Sequence, residues 1–144
     1  MRFFSGPIID ASVVVAAILD DEVPPMATAL LREVGEQGAI VPSLFWYEMR
    51  NVLLLAVRKG RISSERAAWK LAQLRALDIA VVSEPGDDAV RLTAGKHGLT
   101  AYDAAYAVVA TREGRPLATL DKALIRAGRS GAFELWRPTS APPP

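Results

Sequence analysis

Four short apolar runs, spaced along the chain and separated by helix-forming stretches, constrain the fold most. They are Ile8-Ile9, Ala39-Ile40-Val41-Pro42, Ile79-Ala80-Val81-Val82 and Leu117-Ala118-Thr119-Leu120. None alternates apolar with polar residues. Runs of this kind read as strands covered on both faces, and the helices between them supply the cover. The pattern predicts an α/β protein with a central parallel sheet and helices on both sides. Phe133-Glu134-Leu135-Trp136 is expected to add an edge strand, bringing the sheet to about five.

Start and stop signals place the helices. One is expected over Ser12 to Leu19, directly after the first strand. Asp20-Asp21-Glu22-Val23-Pro24-Pro25 breaks the chain, and its prolines open a helix to about Gln37. Ser43 is read as the cap of a helix reaching about Lys59, stopped by Gly60. Ser63 or Ser64 opens another to about Leu77. Asp87 to Lys96 is ended by Gly98, Thr100 to Glu113 by Gly114, and Lys122 to Ala127 is a short helix. Residues 1–137 read as one domain. The proline-rich stretch 138–144 reads as a disordered tail.

Composition excludes several classes. With 144 residues, 51% of them hydrophobic, the chain can build a real core, so a disordered protein is excluded. No apolar run reaches the roughly 18 residues needed to span a membrane. Met1 to Pro7 is too short for a signal peptide, and a cytoplasmic protein is expected. There is no cysteine, which removes thiolate metal sites and cysteine nucleophiles. The single histidine, His97, lies in Gly95-Lys96-His97-Gly98 and reads as a solvated helix end. A net charge of +1 does not announce nucleic-acid binding, which would need a local basic patch. Arg58, Lys59 and Arg61 read as an ordinary helix end. Lys122, Arg126 and Arg129 lie beside a candidate site.

That site is acidic. Asp10, Glu48, Asp103 and Asp121 each border an apolar stretch, where an unpaired carboxylate is costly to bury. Asp10 and Asp121 follow the first and fourth strands, at the strand ends where open sheets bind ligands. Glu48 precedes Val52 and Leu55 by four and seven residues and so shares their helix face. Asp103 lies on a helix that is hydrophobic all round. Each acid also has a plain structural reading. Asp10 and Asp121 suit helix N-caps, Thr100 and Asp103 have capping-box spacing, and Glu48 favours the positive end of its helix. Four remote carboxylates make joint sense around a hard cation held by oxygen.

The motifs resemble those of the PIN-domain ribonucleases, in particular VapC-type toxins of bacterial toxin–antitoxin pairs. They are Ile9-Asp10-Ala11-Ser12-Val13, Glu48-Met49-Arg50-Asn51-Val52-Leu53, Leu99-Thr100-Ala101-Tyr102-Asp103-Ala104 and Leu117-Ala118-Thr119-Leu120-Asp121. Each is weak alone; together, in family order from about Ile8 to Leu124, they are strong. The resemblance implies a PIN-like three-layer fold and an RNA endonuclease dependent on Mg²⁺ or Mn²⁺. It also implies a homodimer and a cognate antitoxin that blocks the site. By this match the four acids are the site acids, with Ser12 and Thr119 as supporting hydroxyls.

The expected chemistry is hydrolysis of a phosphodiester by water that a divalent metal activates. Mg²⁺ takes few carboxylates directly, so Asp10 and Asp103 are expected as ligands. Glu48 would serve the attacking water, and Asp121 a second metal or its waters. An antitoxin helix is expected to cover the apolar Ser12–Leu19 segment and send a basic side chain into the acids. Three other readings are weighed. An aspartyl phosphatase would want a second acid two residues after Asp10, where Ser12 stands. A non-toxin RNA-processing nuclease would keep the chemistry without an antitoxin. A silent interaction module would use Phe45-Trp46-Tyr47 or the Val13–Leu19 segment, though most of these residues suit a core.

Overall fold

A computed structural model describes residues 5–138. The expected tail from 139 onward lies outside them. The chain runs β1 (Ile8–Ile9), α1 (Ala11–Leu19), α2 (Pro25–Gln37), β2 (Ala39–Val41), α3 (Leu44–Arg58), α4 (Ser64–Arg75), β3 (Ile79–Val81), α5 (Asp87–His97), α6 (Ala101–Glu113), β4 (Leu117–Ala118) and α7 (Lys122–Arg129).

The four strands form one parallel sheet in the order β3-β2-β1-β4. Ile8 is in register with Ile40 on one side and Leu117 on the other, and Ile9 with Ala118. Successive strand residues point to opposite faces, and Ile8 and Ile9 are both fully buried. The sheet is therefore covered on both sides at its centre, as the unbroken apolar run requires. α6 packs on β1 and β4, with α5 against it. α1 packs against α2 and α3, and α3 against α4. At β3, the edge, Val81 is half exposed.

The strand order fixes where a ligand can sit. From β1 the chain moves through β2 to β3 on one side, then crosses back to β4 on the other. The switch falls between β1 and β4, and clefts at such points lie beyond the carboxyl ends of the strands. Asp10, Thr119 and Asp121 all occupy that end.

Several helix ends are as the sequence predicts. The Ser63 side chain accepts from Arg66 N, and Thr100 from Asp103 N. Gly98 and Gly114 close α5 and α6 in left-handed geometry, with φ of 64° each. Four expectations need correction. Ser43 adopts helical angles and makes no side-chain cap; a turn bond from Phe45 N to Pro42 O opens α3 instead. The fifth strand is only a single parallel bridge, Leu117 to Leu135, because Leu117 alone offers its N–H and carbonyl to the returning chain. β4 stops at Ala118, since Thr119 and Leu120 are drawn into side-chain bonds with Ser12 and Asp121. α7 runs on to Arg129.

Candidate active site

Asp10 leaves β1 as the N-cap of α1 and is only 4% exposed. Three donors converge on it. Ser12 Oγ donates to Oδ1 at 2.6 Å, Val13 N to Oδ1 at 3.3 Å, and Thr119 Oγ1 to Oδ2 at 2.5 Å. Both hydroxyls are held in turn. Leu120 N donates to Ser12 Oγ at 2.9 Å, and Asp121 N donates to Thr119 Oγ1 at 2.9 Å. A peptide N–H thus engages each hydroxyl from behind, which leaves its proton to point at the carboxylate. Asp10 still holds its proton unusually tightly, at a pKa of about 6. Burial is the main cause, the three hydrogen bonds oppose it, and the Asp121 charge adds to it.

Asp121 and Glu48 lie near it, and Asp103 lies near both of them. Asp121 caps α7, accepting from Leu124 N at 3.0 Å, and is half-buried. Glu48 stands one turn into α3, beside the buried stripe Phe45-Met49-Leu53 rather than within it. Val52 is only half-buried and Leu55 is 39% exposed. Burial pushes the Glu48 carboxyl up, the Tyr106 hydroxyl opposes this, and the Asp10 and Asp103 charges add to it. Asp103 lies in the first turn of α6, half-buried. It too is pushed up, first by burial and then by Asp121, with the Thr100 hydroxyl opposing. Only the forward half of the capping box forms, Asp103 N to Thr100 Oγ1 at 3.1 Å. The Asp103 carboxylate is therefore not spent on the Thr100 backbone.

The repulsions link the acids in a closed circuit: Asp10 with Asp121, Asp121 with Asp103, Asp103 with Glu48, and Glu48 with Asp10. All six sequence-expected residues thus belong to one neighbourhood. Even so, among the described residues no three of the acids stand close enough to make a ready cage for a metal ion. The plain readings of Asp10 and Asp121 as caps also hold, since both do cap. Capping explains one acceptor atom in each. It does not explain why two hydroxyls bond Asp10 and why Asp121 and Glu48 lie close enough to act on it.

One member was not legible as such. Tyr106, on α6, is buried and donates its hydroxyl to Glu48 Oε1 at 2.6 Å. The signal was a tyrosine inside an apolar helix, whose hydroxyl must find a partner when buried. Of the aromatic trio, Phe45 and Trp46 pack in the core edge-to-face at 5.1 Å, while Tyr47 is 70% exposed.

Comparison with known proteins follows the same lines. The PIN domain family model matches residues 8–130. Ribonuclease VapC3 of Pyrobaculum aerophilum is 33% identical over 121 residues, covering 81% of this chain and 90% of the relative. Exonuclease VapC9 of the same organism is 36% identical over 89 residues, covering 62% and 65%. The crystal structure of PAE2754 from Pyrobaculum aerophilum aligns with a TM-score of 0.72 at 25% identity, covering 93% of this chain and 89% of that one. A match over nearly the whole described chain, on a sheet whose switch point carries the motif acids, shows that this protein belongs to the PIN-domain family.

Proposed function

We propose that this protein is an endoribonuclease that hydrolyses RNA with a divalent cation, Mg²⁺ or Mn²⁺ in its place. We propose further that it is the toxin of a type II toxin–antitoxin pair. The circuit of mutual repulsion around the buried Asp10 carries the reading. Left to themselves, Asp10, Glu48 and Asp103 are pushed toward their protonated forms, first by burial and then by neighbouring charge, and a cation among them would offset that cost. The donor set fits a hard ion, for every candidate ligand is an oxygen. Family membership and the names of VapC3 and VapC9 support the nuclease assignment.

Asp10 and Asp103 are the residues that would hold the cation, with Asp121 beside them for a second ion or for ordered water. Such an ion supplies charge compensation at the scissile phosphate and a lower water pKa. The protein's own groups do the rest. Ser12 and Thr119 fix the Asp10 carboxylate plane through one oxygen each. Glu48, with its raised proton affinity and with Oε1 bonded to Tyr106, takes the proton of the attacking water. Water adds to phosphorus, the bond from phosphorus to the 3′-oxygen breaks, and that oxygen takes a proton from solvent as Glu48 gives its own back to solvent. The products carry a 5′-phosphate and a 3′-hydroxyl.

The partners belong to the same proposal. The outer face of α1 forms a hollow of about 250 Å³ with α2 and α4, lined by Ala17, Ile18, Leu31, Trp69 and Leu77. Trp69 is 51% exposed there. An antitoxin helix would cover this surface and bring a basic residue to the acids. Exposed Tyr47, Leu54 and Leu55 on α3 support a homodimer. No helix among the described residues is long and apolar enough to cross a membrane, and we place the protein in the cytoplasm.

The test is cleavage of total cellular RNA by purified protein, with Mg²⁺, Mn²⁺ or chelator, and with cut ends mapped. Internal cuts with 5′-phosphates, lost in chelator and in Asp10→Asn, support the reading. Trimming from the ends alone would favour the exonuclease activity for which VapC9 is named. Cyclic-phosphate ends or full activity in chelator would overturn the mechanism. Co-expression with the neighbouring small gene tests the antitoxin.

A further inference from the structure

Glu48 reaches the site from α3, yet what holds its side chain belongs to α6. The Tyr106 hydroxyl donates to Glu48 Oε1 at 2.6 Å across 58 residues of sequence. Tyr106 is 1% exposed, so its ring is clamped by the core and its hydroxyl has little freedom. Around it Ala104, Ala105, Ala107 and Ala110 are small and buried, and α6 lies directly on β1 and β4. The hydroxyl also lies within reach of the Ala11 backbone N–H, immediately after Asp10. Among the described residues, Glu48 Oε2 accepts no hydrogen bond.

We propose that Tyr106 is a positioning residue, which anchors one oxygen of Glu48 and aims the other at the reacting water. This rests on the nuclease reading above. A simple packing role would ask only for an aromatic ring, and any backbone carbonyl could have taken its proton. Here the acceptor is instead a carboxylate of the site, and one whose helix has no other tie to α6 through that side chain. Burial and the neighbouring acids push the phenol well above its ordinary range, so it remains a donor wherever the protein is folded. The tie also spans two helices that carry one site acid each, Glu48 on α3 and Asp103 on α6. Holding a general base within a few tenths of an ångström is worth about tenfold to a hundredfold in rate.

The test measures kcat and KM for a short single-stranded RNA with Mg²⁺. The proteins are wild type, Tyr106→Phe, Glu48→Gln, the double variant and Asp10→Asn. Tyr106→Phe should keep its circular dichroism and lose about tenfold or more in kcat, with KM within twofold. On the Glu48→Gln background the same change should cost nothing further, because Tyr106 acts only through Glu48. If Tyr106→Phe fails to fold, Tyr106→Met, an apolar filler without a donor, carries the same measurement. Failure of both to fold would make Tyr106 structural and overturn the proposal. So would an unchanged kcat in Tyr106→Phe, or a loss additive with Glu48→Gln, while Asp10→Asn is inactive. Wild-type rates in Asp10→Asn would instead bring down the nuclease reading itself, and this inference with it.

Discussion

Thr119 gives its hydroxyl proton to Asp10 Oδ2 at 2.5 Å while its oxygen accepts the backbone N–H of Asp121. One side chain therefore joins the end of β1 to the loop that delivers another acid. Thr119→Val keeps the shape and removes both bonds. It should cost roughly 1 to 3 kcal/mol of stability, since a buried carboxylate loses a donor and a peptide N–H loses its acceptor. RNA cleavage should fall about tenfold to a hundredfold. Chemical denaturation and initial rates check the two numbers separately.

Asp10→Asn should separate stability from activity. Asparagine caps a helix as well as aspartate does, so α1 keeps its start. The charge, however, is gone. In chelator at pH 7.5 the variant should be as stable as wild type or more so, while cleavage drops by about a thousandfold or more. Denaturation in chelator is the deciding measurement, and an unfolded variant would return Asp10 to a purely structural role.

The same charge makes stability depend on pH in a definite direction. The Asp10 carboxyl rises from an ordinary 3.8 to about 6 on folding. Between these values the folded protein binds more protons than the unfolded chain. Metal-free stability contributed by this group is therefore greatest below pH 4, falls as pH rises toward 6, and levels off above it. The full loss is about 3 kcal/mol. Glu48 and Asp103 shift in the same direction and add to the slope. Subtracting the Asp10→Asn curve from the wild-type curve isolates the Asp10 contribution; a difference that shrinks as pH falls from 6 to 4 would refute it.

Divalent cations should reverse that loss. Mg²⁺ or Mn²⁺ should raise the melting temperature above pH 6, with a smaller gain near pH 4, where protons compete. Asp103→Asn should reduce the gain, and the Glu48→Gln variant should retain most of it. Thermal melts at several cation concentrations test this without any RNA.

Much of this architecture could be read in the sequence because its signals are local. The apolar runs at Ile8, Ala39 and Ile79 gave strands, and Ser63, Gly98, Thr100 and Gly114 marked helix ends through bonds to residues within one turn. The failures are non-local or concern irregular turns. Whether Phe133–Trp136 becomes a strand depends on how much of β4 remains to pair with, and β4 ends early to serve Asp10. Ser43 had the right residue type but not the extended angles that a cap needs. At the site, the acids could be suspected from their placement beside apolar runs. The roles of Ser12 and Thr119 came only with the family resemblance, for their shared bond spans 107 residues. Tyr106 escaped because α6 is apolar all round, and a tyrosine there counts first as core.

The switch between β1 and β4 has a consequence for when the protein becomes active. Asp10 is made early, but Thr119 and Asp121 lie beyond every other strand of the sheet. Until β4 docks, β1 has an open edge and Asp10 lacks the Thr119 donor and the Asp121 charge. A chain growing on the ribosome passes through all these lengths with its acids unassembled. Products of abortive synthesis that stop short of Leu120 cannot complete the cluster. For a protein that would attack RNA beside its own messenger and ribosome, the order of its strands acts as a safety catch, released only once β4 and the loop that follows it have been made.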